Sequence, residues 1–387
     1  MARIAIFHPT IMLGGGGEGV CAHILEALVP NHKVTLFTTD RVNIEVFNEF
    51  HGTDIDRSSI TVKNPLPKLS KLIDKAAIGV SRLLPDTNFG LLKHSLAQRR
   101  LDSISDDFDI IFSTWNEIFC DSQSLQYIHF PGYHPNVYQE FDPRSKNRKY
   151  RIYHDLCRLL IGSNVDFGES TTTMANSQWT AELVRENYDT DVSVVYPPVD
   201  VAKFEPNSWD RKEPGFVSIG RIHPLKRQLF MINVFDKLIE KGYDTHLHIV
   251  GGVGDKEYQQ KVKHAADSRE YVSMEGRLAR SDLIDIVERH KYGIHSKKFE
   301  HFGMVVAELA AGGAIPFVHA SGGQTEIVNG SSELTYNSID SAVKNITRVL
   351  NDQELQERLH TQMNSTAKKF DKSEFQNQIQ TIVSRTT

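Results

Sequence analysis

The chain has 387 residues, 40% of them apolar and 24% charged, with 44 Lys+Arg against 49 Asp+Glu for a formal net charge of −5. That length and composition belong to a globular protein of two domains and exclude a disordered tail, a disulfide-stapled mini-protein and a basic nucleic-acid-binding module. Three widely spaced cysteines, Cys21, Cys120 and Cys157, offer neither a disulfide framework nor a zinc site, and are expected to be buried thiols.

Taken in chain order, Ala2–Phe7 and Lys33–Thr38 read as buried strands with a helix over Gly19–Leu28 between them, a βαβ unit that implies a parallel sheet. The apolar run at the start is cut by His8-Pro9, and no stretch reaches the ~18 apolar residues of a membrane helix. Asp109–Ser113 and Tyr127–Phe130 read as short strands, and Ser177–Asn187 as a helix capped by Ser177. Tyr196-Pro197-Pro198-Val199-Asp200 then stops regular structure and marks a boundary. Beyond it the alternation restarts, with strands at Phe216–Ile219, His246–Val250, Gly293–His295 and Ala314–Val318 and helices at Gln228–Lys241, Ser281–His290 and Gly303–Ala311. The expected fold is α/β, two doubly wound halves with a cleft between them.

Gly14-Gly15-Gly16-Gly17 opens the first helix and places backbone N–H groups where an anion is favoured. Gly14, Gly16 and Gly19 also satisfy the spacing of a dinucleotide fingerprint, with Asp40 21 residues after Gly19. An NAD-dependent oxidoreductase is therefore a rival reading, weakened by the residues from His8 to Leu13 that separate strand from glycine. Past the next half's first strand, Arg221 and Lys226 share one loop, and fixed cations there would stabilise a departing diphosphate. Farther on, Glu300 and Glu308 flank His301-Phe302-Gly303, and their eight-residue separation corresponds to ~80° of helical rotation if both are helical. Two such acids in apolar surroundings are costly unless they hold hydroxyls or cations.

Glu300-x7-Glu308 around Phe302-Gly303, preceded by Gly220-Arg221 and Lys226 and by Tyr196-Pro-Pro-Val-Asp200, resembles the retaining nucleotide-sugar glycosyltransferases of family 4. Within them the chain looks most like the branch of mannosyltransferases that extend lipid-linked oligosaccharides, α-1,2-mannosyltransferases among them. The resemblance implies the GT-B fold, two Rossmann-like domains facing each other across a cleft. An acceptor-binding domain would span residues 1–195, a nucleotide-sugar domain 196–369, and a helix over 370–387 would cross back to the first domain. It implies a hexosyltransferase whose donor, GDP-mannose first, is a cosubstrate; no cofactor and no metal site are expected.

Carried onto matching positions, Arg221, Lys226, Gly16 and Gly17 would hold the diphosphate. Glu300, with His301, Phe302 and Gly303, would hold the sugar. Arg277 and Glu308 would line the nucleoside, and His129, which with Glu300 would be catalytic, would face the donor sugar. A sugar-nucleotide epimerase shares the architecture and stands as a second alternative. The stretch Lys63–Arg100 carries eight basic residues and two acids, and Arg144–Arg158 six and one. Both fall in the half where such enzymes bind acceptors, which suggests a lipid-linked acceptor and an anionic membrane surface as partners, no nucleic acid, and a cytoplasmic place peripheral to the membrane.

Overall fold

The computed structural model describes every residue except 13, 68, 70, 71, 74, 76–88, 162–166 and 387. The chain divides into two compact units, Met1–Pro198 joined by Phe375–Thr387, and Val199–Glu374.

In the first unit, described residues form a parallel sheet of seven strands: β1 (Arg3–Phe7), β2 (Lys33–Phe37), β3 (Ile60–Lys63), β4 (Ile110–Ser113), β5 (Ser124–Ile128), β6 (Thr171–Ala175) and β7 (Val192–Val194). Their order is β3-β2-β1-β4-β5-β6-β7, with Ile4, Ala5, Ile6 and Phe7 of β1 in register with Val34–Phe37 on one side and Ile110–Ser113 on the other. The unbroken apolar run of β1 has this cause, because a central parallel strand is covered on both faces. The first helix is Gly16–Leu28, three residues longer at its start than the sequence predicts, so Gly16 and Gly17 are helical rather than loop residues. Gly15 is its N-cap. The predicted helix after Ser177 is Gln178–Tyr188, whose first turn is closed by Thr180 N–H donating to Ser177 Oγ at 3.0 Å. Cys21, Cys120 and Cys157 are buried free thiols.

Phe375, Ile379 and Val383, one stripe of the helix Lys372–Thr386, are buried in the cluster that also holds Ile4, Cys21 and Leu25. Gln376 Nε2 donates to Glu26 at 2.6 Å and Gln380 Nε2 to the Ala27 carbonyl at 2.9 Å, so the chain end is tied to the first helix.

Within this unit Glu117 is fully buried and accepts Tyr133 N–H and Tyr188 O–H, each at 2.9 Å, on Oε1, while Oε2 has no partner. Burial pushes its carboxyl up to about 7, against an ordinary value of 4.5. A carboxyl raised in the fold stabilises fully below 4.5 and loses that contribution as pH rises through 7. Glu117→Gln keeps both acceptor contacts, so its stability relative to wild type is expected to rise across that window by on the order of 3 kcal/mol. Denaturant unfolding at pH 5 and pH 8 checks this, and a difference that does not change with pH contradicts it.

The second unit repeats the plan with β8 (Glu213–Ile219), β9 (Leu247–Val250), β10 (Val272–Gly276), β11 (His290–His295), β12 (Ile315–His319) and β13 (Thr335–Tyr336) in the order β10-β9-β8-β11-β12-β13, all parallel. In both units the strand order reverses beside the first strand, at β1/β4 and at β8/β11. Ligands of doubly wound sheets sit outside the carboxyl ends of strands at such a switch point.

Candidate functional site

The chain leaves β8 through Gly220-Arg221, makes a single 3-10 turn at Pro224–Lys226 and enters the helix Gln228–Glu240. It leaves β11 at His295 and runs through Lys297 to Glu300 before the helix Met304–Ala311 begins at Gly303, whose φ of +99° is open to glycine. Glu300 is therefore not helical, and the expected ~80° relation to Glu308 does not apply. A different contact sets its position. Glu300 bridges Gly322, where any Cβ would collide with the Glu300 backbone, and Gly323 N–H donates to the Glu300 carbonyl at 2.8 Å.

These two loops meet at the Glu300 carboxylate. Oε2 accepts Lys226 Nζ at 2.6 Å and His295 Nε2–H at 3.0 Å, and Oε1 accepts Lys297 Nζ at 2.8 Å. Burial acts to raise this carboxyl, but Lys226, Lys297 and His295 reverse that and hold it well below its ordinary 4.5. Burial lowers Lys226, opposed by Glu300 and aided by the repulsion of Lys297 and Arg221. Burial, then Lys226, push the His295 imidazole down to about 4, so it is neutral and donates from Nε2. One carboxylate thus faces two ammonium groups, with Arg221 exposed nearby: a surplus of positive charge at the carboxyl ends of β8 and β11.

Lys297 and His295 were not foreseen as members of the site. The signal was present, since His295 ends the strand and Lys297 stands three residues before Glu300, but neither spacing marks a motif by itself.

Glu308 lies in the helix Met304–Ala311 and accepts Arg280 Nη1 at 2.7 Å. Arg277 is exposed in the turn after β10, where Gly251 N–H reaches the Gly276 carbonyl at 2.8 Å. Phe302 is buried with its ring edge-on to Phe370, 5.2 Å between centroids, and His301 beside it is half-buried.

In the first unit, Gly17 lies in the first turn of its helix, where an added Cβ would stand 3.6 Å from His129 Nε2. Burial pushes the His129 imidazole down to about 4, and its Nε2–H donates to the Thr114 carbonyl at 3.2 Å. Asn116 Oδ1 accepts the N–H groups of His129 and Phe130 at 3.1 and 3.0 Å, and Asn176 Nδ2 donates to the His129 carbonyl at 3.2 Å. Both asparagines escaped the sequence reading, because each acts on backbone across the sheet. Asp40, which the dinucleotide reading assigns to a ribose, instead accepts Ile11 and Met12 N–H at 2.7 and 3.0 Å and so clasps the loop.

Residues 201–366 match the family described as glycosyl transferases group 1. Over 372 residues the chain is 25% identical to the human GDP-Man:Man(3)GlcNAc(2)-PP-Dol alpha-1,2-mannosyltransferase, covering 83% of this chain and 73% of that one. The Dictyostelium discoideum protein of the same name is 24% identical over 429 residues, 97% of this chain and 83% of its own. Among solved structures, sucrose-phosphate synthase from Thermosynechococcus elongatus superposes with a TM-score of 0.71 at 14% identity, over 100% of this chain and 99% of that one. Anabaena HepE in complex with UDP and glucose gives 0.68 at 14% identity over the whole of both chains. Likeness at that identity speaks to the fold alone. With two Rossmann-like sheets of GT-B type and a group 1 glycosyltransferase domain over residues 201–366, the chain is a hexosyltransferase.

Proposed function

We propose that this enzyme transfers mannose from GDP-mannose to a lipid-linked oligosaccharide with retention of configuration. The observation that carries the proposal is the Lys226, Glu300, Lys297 and His295 cluster at the switch point of a group 1 domain. The relatives' names supply the donor and the class of acceptor.

Three of the roughly four acceptor positions of the Glu300 carboxylate are used. A diphosphate offers Lys226 and Arg221 a stronger partner than one carboxylate, so its arrival draws Lys226 away and opens Oε2 to the sugar's hydroxyls. As the bond from anomeric carbon to phosphate oxygen breaks, charge grows on the diphosphate while the sugar gains oxocarbenium character. Cations held in place before the reaction stabilise that state more than the bound donor. The acceptor hydroxyl attacks from the face the diphosphate leaves, and a phosphate oxygen takes its proton. Arg221 and Lys226 supply the countercharge, so the proposed step passes through no metal. Glu300 serves the sugar's hydroxyls and not the anomeric carbon; a trapped mannosyl ester on Glu300 would contradict this.

Glu308 and the turn at Arg277 are assigned to the nucleoside, and the amides of His301, Phe302 and Gly303 to the sugar. Gly16, Gly17 and His129 are assigned to diphosphate and sugar on the strength of the family resemblance.

The acceptor's lipid calls for a surface. On the helix Arg148–Ile161, Ile152, Leu156 and Leu159 fall at i, i+4 and i+7 and are 51%, 56% and 67% exposed, beside exposed Arg148, Lys149 and Arg151. Such a face suits the interface of an anionic bilayer. Of the other basic stretch, Lys68, Lys71 and Arg82 lie outside the described residues. No described helix is long and apolar enough to cross a membrane.

The test is transfer of radiolabelled mannose from GDP-mannose to a dolichol-linked oligosaccharide ending in mannose, with the product challenged by an α-1,2-mannosidase. Label that enters the lipid phase and is released by the mannosidase is the expected result; label released as free mannose, with or without acceptor, contradicts it. Leu156→Glu/Leu159→Glu is expected to abolish flotation with anionic vesicles at low salt, and unchanged flotation would remove the membrane assignment.

A further inference from the structure

At the opposite ends of the same strands lies a cluster that sugar transfer does not use. His246 directly precedes β9, His248 lies within it and His290 begins β11, while Glu213 begins β8 between them. Ring centroids of the three histidines are 4.6 to 5.3 Å apart, and one nitrogen from each falls within 4.8 Å of the others. Two strands separated by a third bring them together only because residue 215 is glycine, where any Cβ would collide with the His246 ring.

The hydrogen bonds around the cluster select the tautomers. His290 Nδ1–H donates to the Ile286 carbonyl at 2.6 Å, which leaves Nε2 with a bare lone pair. That lone pair faces His246 Nε2 at 3.2 Å. Two nitrogens bound to one tetrahedral zinc at about 2.0–2.1 Å stand ~3.3 Å apart. His248 Nδ1–H donates to the Glu275 carboxylate at 2.7 Å, which likewise leaves its Nε2 to accept. A carbonyl and a carboxylate therefore hold two imidazoles by their far nitrogens, the outer-shell arrangement that orients histidine ligands of a metal. Glu213 Oε2 lies 3.7 Å from His290 Nε2 and 3.8 Å from His246 Nε2, near enough to supply a fourth ligand. His290 is 1% exposed and its carbonyl accepts Lys212 Nζ at 3.3 Å, whereas the side chains of His246 and Glu213 are 33% and 49% exposed. One side of the cluster is fixed and the other open to an entering ion.

We propose that His246, His248, His290 and Glu213 form a binding site for a zinc-like divalent cation that ties β8, β9 and β11 together. The six residues of β11 place it ~16 Å from the Glu300 loop, so the ion acts on the stability of the second unit and not on the reacting sugar. Sequence spacing hides it, since only His246 and His248 are close along the chain.

The experiment is titration of the chelator-stripped full chain with cobalt(II) and zinc(II), following bound metal by elemental analysis, cobalt by its visible ligand-field absorption, and melting temperature. Expected are one equivalent bound, a strong tetrahedral cobalt spectrum that zinc displaces, and a melting temperature raised by zinc. In His246→Gln/His248→Gln the cobalt spectrum is expected to vanish and affinity to fall at least 100-fold, with circular dichroism and mannose transfer unchanged; Glu213→Gln is expected to weaken binding about tenfold. Should the double variant not fold, Glu213→Gln and His248→Gln singly carry the test. Absence of stoichiometric binding, or a cobalt spectrum indifferent to these substitutions, overturns the proposal.

Discussion

Alanine at position 226 is expected to lower mannose transfer by about 10²–10³-fold while leaving the second unit folded. The magnitude is that of one preorganised charge removed from a developing oxyanion, roughly 3–4 kcal/mol. The folding cost is smaller, about 1–2 kcal/mol, because Glu300 keeps Lys297 at 2.8 Å and His295 at 3.0 Å and is not left as an unpaired buried charge. The two effects separate experimentally: kcat/KM falls by orders of magnitude, affinity for GDP falls with it, and the melting temperature moves by only a few degrees. Transfer within threefold of wild type would remove Lys226 from the site.

Glu300→Gln is expected to act in the reverse sense on nucleotide and sugar. The amide accepts a hydrogen bond but cancels no charge, so Lys226 and Lys297 face a diphosphate with their field undiminished. Binding of GDP alone is therefore expected to hold or tighten, while transfer from GDP-mannose is expected to fall about 10²-fold through loss of the carboxylate proposed to hold the sugar. Since the carboxyl is held well below its ordinary 4.5, its contribution to stability is present above that pH and is lost as pH falls below it. The variant's acid unfolding should begin from a lower stability at pH 7 and be shallower than wild type's. Calorimetry with GDP and steady-state kinetics check the two halves, and GDP affinity falling in step with turnover would contradict the division of labour.

The readable parts of the fold were those whose local chemistry agreed with their burial. Ile4–Phe7 is apolar on both faces because it is central, and the helix after Ser177 announces itself by its cap. The edge strand Ile60–Lys63, with one buried residue in four, lacks such a signal. The helix Lys256–Asp267 buries only Tyr258, Val262 and Ala266, a narrow stripe that its polar residues mask. The helix expected from Gly19 begins at Gly16, despite glycine's poor helix propensity. Arg221, Lys226, Glu300 and Glu308 stand out in the sequence as residue types in a pattern, and of these the structure brings Lys226 onto Glu300. Glu300's partners Lys297 and His295 were not, and neither was the pairing of Glu308 with Arg280, because strand ends and loops create those contacts in three dimensions. The histidine cluster is the extreme case, its members 44 residues apart at the widest histidine pair and joined only by strand order.

The most direct test of the central claim is calorimetric titration of wild type and Lys226→Ala with GDP-mannose, UDP-glucose, ADP-glucose and NAD. One-to-one binding of GDP-mannose, at least tenfold weaker in Lys226→Ala, is the predicted result. Binding of NAD with no nucleotide-sugar bound, or GDP-mannose affinity indifferent to the loss of Lys226, would contradict it.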